Sequence, residues 1–95
     1  MLEVHVRTLI LESLQEVIQE KPIDKQFEVS DRTKLLAKGS EMDSLDYLNF
    51  STCLEERLFR AIGREVDLSS LVVDHADAFQ DVNRLAGFLA PRLAQ

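Results

Sequence analysis

Apolar residues in the first part of the chain recur at three- and four-residue steps, the period of one face of an α-helix. They are Val6, Leu9, Ile10, Leu14, Val17 and Ile18, and the opposite face carries Glu12, Gln15, Glu16 and Gln19. Leu2, Val4 and Val6 alternate with polar residues instead, so the pattern leaves the first turn open. We expect this helix to end near Glu20, because Pro22 pushes the residue before it out of the α conformation.

A second amphipathic helix is predicted to begin at Asp43 or Ser44 and to end at Gly63. Its apolar face is formed by Tyr47, Phe50, Leu54 and Leu58, broadened by Leu45, Leu48 and Thr52. Asp43 is a favourable N-cap, and Asp46 three residues later gives an acidic analogue of the capping box. Gly63 is a natural C-terminal stop, because glycine readily adopts the left-handed conformation that ends helices.

The last third of the chain predicts one short and one longer helix. Residues 67–72 form the short one, and the longer one begins between Asp77 and Asp81. The apolar face of the longer helix consists of Val82, Leu85, Ala86, Leu89 and Leu93, with Phe88 beside it. We expect Pro91 to end or kink this helix, since proline removes a backbone donor.

The connection from Lys21 to Met42 shows no clear periodicity, which is a long interval for a compact domain. Its possible anchors are Phe27, Val29, Leu35 and Leu36. A short helical turn around Thr33–Ala37 could divide it, and the pattern leaves this point open. Three longer helices and one short helix, with a long first loop, predict an all-α four-helix bundle.

Composition supports one small globular domain over residues 1–95, with 45% apolar and 29% charged residues. The formal net charge of −6 argues against binding to nucleic acid or to anionic lipid, both of which favour clustered Lys and Arg. The first residues lack the pattern of a signal peptide, and no apolar run approaches the length of a bilayer span. We therefore expect a cytoplasmic protein.

Few residues are candidates for chemistry. The single cysteine, Cys53, lies toward the buried side of the second predicted helix and is expected to be a small core residue. His5 and His75 are far apart in sequence and belong to no metal-ligand spacing. Pairing Ser44 with either histidine as a hydrolase would require a third group and an oxyanion hole, and neither is visible. We expect neither catalytic residues nor a metal site.

Ser44 has a structural and a functional interpretation. Asp43 and Ser44 are both residue types that cap helices, so the serine is explained by capping alone. A serine in the first turn also points outward, however, and its hydroxyl is then accessible to a modifying enzyme. The backbone N–H groups and the helix dipole at that end favour an attached phosphodiester, whereas Asp43 and Asp46 oppose it.

The segment Gly39-Ser40-Glu41-Met42-Asp43-Ser44-Leu45-Asp46, with the helical pattern around it, resembles the acyl carrier protein family. In that family a Gly-x-x-x-Ser-Leu-like segment opens the second of four helices after a long first loop. Here the glycine is shifted, because Gly39 lies five residues before Ser44. The downstream matches are Leu48, Phe50, Leu54-Glu55-Glu56, Leu58 and the run from Phe79 to Leu89. The resemblance covers roughly Val6 to Leu89.

The resemblance implies that the chain is a single carrier-protein domain. Ser44 would carry 4′-phosphopantetheine, whose thiol holds a reaction intermediate as a thioester. A phosphopantetheinyl transferase would install the arm, with Asp43 and Leu45 helping it to recognise the serine. The residues implied in partner recognition are Asp43, Leu45, Asp46, Asn49, Glu55, Glu56, Arg57 and Arg60.

The second predicted helix departs from that of fatty-acid carriers in charge. Asn49 replaces a usual acidic residue, and Arg57 and Arg60 stand where the helix is normally acidic or neutral. This mixture of signs points away from housekeeping fatty-acid synthesis and toward a dedicated pathway, such as secondary-metabolite biosynthesis, with its own partners. The arginines have a structural alternative, since either could pair with Glu55 or Glu56 on the helix surface.

The expected function is therefore that of a discrete, monomeric acyl carrier that performs no chemistry itself. Its partners would be the transferase, an acyl- or aminoacyl-loading ligase and downstream synthase enzymes. An acyl chain would enter the bundle between Phe50, Leu54, Leu85 and Leu89 if these side chains separated, although they are first of all core positions. Two alternatives stay open: an aminoacyl or peptidyl carrier, and an unmodified helical interaction module in which Ser44 only caps a helix.

Overall fold

A computed structural model describes residues 2–93, and within them the chain forms four α-helices and no β-strand. The helices are α1 (Glu3–Gln19), α2 (Ser44–Ile62), α3 (Leu68–Asp74) and α4 (Val82–Arg92). Two 3₁₀ turns are formed by Ile23–Lys25 and Ala76–Phe79. The all-α bundle of three longer helices and one short helix is thus confirmed. Residues 1, 94 and 95 of the expected 1–95 domain lie outside the described residues.

The helix ends follow local signals in the sequence. α1 ends at Gln19 with Glu20 as its C-cap, which confirms the expected effect of the following proline. α1 starts at Glu3, so Val4 and Val6 lie in the helix even though the apolar residues alternate with polar ones there. Gly63 terminates α2 with φ 74°, in the left-handed region where a side chain is disfavoured. Pro91 falls in the last turn of α4, which ends at Arg92.

The core is built around α1, which packs against both α2 and α4. The 3₁₀ turn at 76–79 connects α3 to α4 in space as well as in sequence. The largest fully buried side chains are Phe50, Phe79, Ile10, Leu14, Ile18, Leu35, Leu54, Leu58, Leu68, Leu85, Leu89 and Val6. Among residues 2–93, no helix combines the length and the hydropathy needed to cross a bilayer.

The structure of the long first loop decides a point that the sequence left open. No helical turn forms at Thr33–Ala37, because the backbone there bonds instead to the segment that enters α4. Leu35 N donates to the Gln80 carbonyl at 2.7 Å, and Val82 N donates to the Thr33 carbonyl at 3.1 Å. Leu35 is 2% exposed and ties the loop to the core. Phe27 and Val29 are half-buried, whereas Leu36 is exposed.

Candidate functional site

Ser44 is the first residue of α2, and the cap that precedes it determines where the helix begins. Asp43 is extended, and its Oδ1 accepts a hydrogen bond from Asp46 N at 2.8 Å. In return, Asp46 Oδ2 accepts a hydrogen bond from Asp43 N at 3.2 Å. This reciprocal pair is a capping box made of two aspartates, which confirms the expected N-terminus of α2.

The side chain of Ser44 plays no part in this cap. Ser44 is exposed, and its hydroxyl forms no hydrogen bond to any residue in the range 2–93. The backbone N–H groups of Ser44 and Leu45 likewise have no acceptor among these residues. Free N–H groups at a helix start carry partial positive charge and attract anions. The arrangement therefore presents an accessible hydroxyl beside two unused amide donors.

Asp46 is held in the interior by Lys21, which lies just after α1. Lys21 Nζ donates to Asp46 Oδ2 at 2.6 Å, and the two side chains are 17% and 12% exposed. Burial alone would raise the pKa of the Asp46 carboxyl, but the hydrogen bonds from Lys21 and Asp43 N outweigh it, so this pKa is lowered. The carboxylate therefore fastens the start of α2 to the end of α1. It opposes an anion at Ser44 less than an unpaired charge would.

Aliphatic side chains surround Ser44 on the solvent side. Leu45 is 65% exposed, Leu48 is 61% exposed and Leu36 of the long loop is 42% exposed. Beside them an open groove of about 430 Å³ begins at Ser44. The groove is lined by Leu35, Leu36, Ala37, Gly39, Ser40, Met42, Asp43, Ser44, Tyr47 and Leu48. An accessible hydroxyl next to exposed leucines is an arrangement suited to contact with another protein.

Tyr47 is the half-buried wall of this groove. Its ring lies 6.1 Å from that of Phe50, measured between centroids. Burial, with a smaller effect of the Glu55 charge, raises the pKa of the Tyr47 phenol to about 12. The groove therefore contains a phenol that stays neutral at physiological pH.

The acidic residues assigned to the recognition face have different surroundings. Glu55 Oε2 accepts a hydrogen bond from Leu68 N at 2.8 Å, so this carboxylate supports the first turn of α3. Asp46 is engaged in the buried pair described above. Glu56 is exposed and forms no ion pair within residues 2–93, and Asn49 is exposed as well. Among the three acidic residues within α2 itself, Glu56 is the one available to a partner.

The two arginines of α2 also differ. Arg57 contacts two carboxylates of α1: Nη1 lies 3.6 Å from Glu12 Oε1, and Nη2 lies 3.0 Å from Glu16 Oε2. Arg57 therefore does not pair with Glu55 or Glu56 on the surface of α2, and instead links α2 to α1. Arg60 is exposed and has no ion pair among the described residues. The positive charge on the open face of α2 is therefore carried by Arg60.

Phe59 was not among the residues singled out from the sequence. It is 49% exposed on α2 and borders a second groove at the other end of the helix from Ser44. The sequence does contain an indication of this exposure. Phe59 lies outside the apolar stripe of an amphipathic helix, which predicts that its aromatic side chain faces solvent. Phe59 belongs neither to the apolar stripe nor to the charged residues of α2, and for that reason it was not predicted as a site residue.

The other candidate groups stay apart from Ser44. Cys53 is half-buried, and burial together with Glu16 raises the pKa of its thiol. His75 lies against Phe88, with ring centroids 4.9 Å apart, and the Arg92 guanidinium covers the same ring at 4.3 Å. Within residues 2–93, no three His, Cys, Asp or Glu side chains are placed to hold a metal ion.

Comparison of the chain with protein-family models, with curated proteins and with solved structures gives no significant match.

Proposed function

We propose that this chain is a discrete carrier protein similar to acyl carrier proteins, with 4′-phosphopantetheine attached to Ser44 Oγ. The thiol of the arm would hold an acyl or polyketide-type intermediate as a thioester in a dedicated biosynthetic pathway. One observation carries the proposal: the exposed Ser44 hydroxyl has no hydrogen-bond partner among residues 2–93, at the start of α2 in a four-helix bundle. The sequence resemblance around Asp43-Ser44-Leu45-Asp46 supports the same conclusion.

The residues at the start of α2 fit a covalently attached phosphodiester. The amide groups of Ser44 and Leu45 have no acceptor within the described range, and the helix dipole points its positive end toward them. Lys21 compensates the charge of Asp46 at 2.6 Å, which leaves the Asp43 carboxylate as the nearby opposing charge. Attachment forms a bond from Ser44 Oγ to the phosphorus of the arm. The pyrophosphate linkage of coenzyme A breaks, adenosine bisphosphate leaves, and the hydroxyl proton passes to a base on the transferase.

The chain itself is proposed to bind and present rather than to catalyse. Tethering a substrate raises its effective concentration at each partner enzyme, so weak and transient contacts are sufficient. The exposed Leu45 and Leu48 beside Ser44 offer apolar contacts to the transferase, a loading ligase and the synthase enzymes. The same carrier architecture suits an amino acid as cargo, which keeps an aminoacyl or peptidyl carrier as the alternative within this class.

The four core residues considered for an acyl pocket are closed in this structure. Phe50, Leu54, Leu85 and Leu89 are each at most 1% exposed. Shelter for a long chain inside the bundle would therefore require these side chains to separate. The existing open space next to Ser44 is the groove on the side of the long loop.

The decisive experiment is intact-mass measurement after incubation with coenzyme A and a broad-specificity phosphopantetheinyl transferase. The parent should gain the mass of one phosphopantetheine, and Ser44→Ala should gain none. Ser69→Ala is a matched control, because Ser69 is also an exposed serine in the first turn of a helix, α3. This variant should be modified like the parent.

Folding is checked separately. The Ser44 hydroxyl makes no hydrogen bond within the described residues. The free energy of unfolding of Ser44→Ala should therefore lie within about 0.5 kcal/mol of that of the parent. An unmodified parent, beside a control carrier that is modified in the same reaction, would favour an unmodified helical interaction module. The exposed leucines around Ser44 are the feature that supports that alternative.

A further inference from the structure

Two arginine side chains meet at the C-terminal end of α4. Arg64, which follows the end of α2, donates a hydrogen bond from Nη2 to the Arg92 carbonyl at 3.2 Å. The guanidinium carbon of Arg92 lies 4.3 Å from the centroid of the Phe88 ring, and the centroid of the His75 ring lies 4.9 Å from that of Phe88. These contacts join Arg64, Arg92, His75 and Phe88 into one group of side chains, which we call the arginine cluster.

The basic groups of the arginine cluster have no acidic partner. Arg64, Arg92 and His75 are all exposed, and none of them forms an ion pair within residues 2–93. Three other arginines of the chain do contact carboxylates: Arg7, Arg57 and Arg84. The C-terminal end of a helix contributes about half an elementary negative charge, which the two full charges of the guanidiniums exceed. The cluster is therefore a local excess of positive charge on a chain whose net charge is −6.

Both guanidiniums are held in place while most of their donors stay unused. The attraction between the Arg92 guanidinium and the Phe88 ring depends on charge, so it leaves the N–H groups available to acceptors. Arg64 uses Nη2 on the Arg92 carbonyl, and a guanidinium has five N–H groups in all. Side chains that are already fixed lose less rotational freedom on binding, which lowers the cost of association. An isolated surface arginine lacks this advantage.

The chemistry of the cluster indicates which kind of partner it fits. The Phe88 ring is half-buried and already contacts two side chains of the cluster, so it offers little surface on which a nucleic-acid base could stack. Nucleic acid also needs a long positive track, whereas Glu65, Asp74 and Asp77 lie close to the cluster in sequence. One carboxylate accepts two parallel N–H bonds from one guanidinium. Two spaced Asp or Glu side chains therefore match the two guanidiniums without a wide positive surface.

We propose that the arginine cluster docks an acidic segment of a partner protein. One carboxylate of that segment accepts hydrogen bonds from Arg92, and a second one accepts from Arg64. α2 has 19 residues, so its two ends are about 27 Å apart at the helical rise of 1.5 Å per residue. Because Arg64 follows the far end of α2, docking leaves Ser44 uncovered. The proposal does not require Ser44 to carry a group, so it stands or falls independently of the carrier function.

The test uses a short synthetic peptide in which aspartate alternates with serine, with binding followed by fluorescence anisotropy. The net charge of −6 repels such a peptide, so its binding to the parent requires a local site, and a parent that does not bind it would refute the proposal. Arg64→Gln with Arg92→Gln should weaken binding at least about tenfold. Arg32→Gln with Lys38→Gln is the matched control, because it removes two exposed positive charges from the long loop, and its effect should be much smaller.

Single variants separate planar recognition from charge. Arg92→Gln keeps Arg64 at the end of α4 and should by itself weaken binding about fivefold, so the test does not depend on the stability of the double variant. Arg92→Lys retains the charge but lacks the planar fork of donors, and it should weaken binding almost as much. Asp74→Asn with Asp77→Asn should strengthen binding, because it removes negative charges near His75 in the chain. Parent-like binding by Arg92→Lys, or equal losses in the two double variants of basic residues, would show general attraction to positive charge and overturn the proposal.

Three further readouts locate the contact and its partner. Backbone amide shifts on adding the peptide should concentrate at residues 64, 75 and 88–92, and shifts centred at Ser44 would refute the proposal. A single-stranded oligonucleotide that binds more tightly than the peptide, and loses binding in Arg64→Gln with Arg92→Gln, would replace the acidic segment by nucleic acid. Sedimentation tests for a second copy of this chain as the partner. A parent dimer that dissociates in the same double variant would overturn the proposal in favour of self-association.

Discussion

Replacing Lys21 by methionine tests the energetic role of the contact between the end of α1 and the start of α2. Lys21 Nζ lies 2.6 Å from Asp46 Oδ2, and the two side chains are 17% and 12% exposed. Exposed ion pairs contribute about 0.2–1 kcal/mol, whereas leaving a fully buried charge without its partner costs about 3–5 kcal/mol. Because this pair is mostly but not wholly buried, we expect Lys21→Met to lower the free energy of unfolding by about 2 kcal/mol.

The assay is urea unfolding of the parent, Lys21→Met, Asp46→Asn and the double variant, which form a double-mutant cycle. The coupling energy between the two side chains should be about 1–2 kcal/mol, and the melting temperature of Lys21→Met should fall by about 10 °C. Arg7→Met is the control, because the Arg7–Glu3 pair is 29% and 51% exposed. Arg7→Met should lower the free energy of unfolding by less than about 0.5 kcal/mol.

The effect of pH follows from the lowered pKa of Asp46. The pKa of this carboxyl in the folded protein lies below its ordinary value of 3.8, so the stabilisation is complete at neutral pH. As the pH falls below 3.8, the unfolded carboxyl takes up its proton first, and this contribution is lost as the pH passes through the folded pKa. The difference between the parent and Lys21→Met should therefore shrink in the same window. A coupling energy below about 0.3 kcal/mol, or a difference that grows in acid, would refute the reasoning.

Two further predictions concern single residues of the bundle. Gly63→Ala should destabilise the fold by about 1 kcal/mol because φ there is 74°, whereas Gly87→Ala, where the nearest atom to an added Cβ is 3.8 Å away, should be neutral or stabilising in urea unfolding. Equal effects of the two changes would contradict this explanation. Tyr47 is the single tyrosine, so a pH titration of phenolate absorbance in the folded protein should give one pKa of about 12. The phenol of the unfolded chain ionises at 10.0, so stability should fall as the pH rises from there, and a folded midpoint at 10.0 would show that burial has no such effect.

The helix boundaries were accessible from local sequence because each depends on groups a few residues apart. The capping box joins Asp43 to Asp46, and the glycine that ends α2 needs only its own backbone conformation. The amphipathic period of α1 likewise predicts which side is buried, and Ile10, Leu14 and Ile18 are at most 1% exposed. Such features depend on residues that are close in sequence, so they can be predicted without knowledge of the tertiary packing.

The conformation of the long loop, in contrast, does not follow from neighbouring residues. The sequence left open whether the interval 33–37 of this loop forms a helical turn, and in the structure the carbonyls of Phe79 and Gln80 accept the Leu36 and Leu35 amides instead. These partners lie more than 40 residues away in the chain. Local propensity contains no information about such a competitor, because the bond exists only once the bundle brings the two segments together.

For the candidate site, the sequence alone predicted an outward serine after an N-cap, since both follow from the geometry of a helix start. The state of the charges around it was decided by tertiary structure. Asp46 meets Lys21 across 25 positions, Arg57 meets Glu16 across 41, and Glu55 meets the backbone of Leu68 across 13. A charged side chain is available to a partner only if the tertiary structure leaves it unpaired. The local sequence does not show which charged side chains form such tertiary contacts. The place of Phe59 outside the apolar stripe already predicted that it is exposed, but the groove that it borders is visible only in the folded chain.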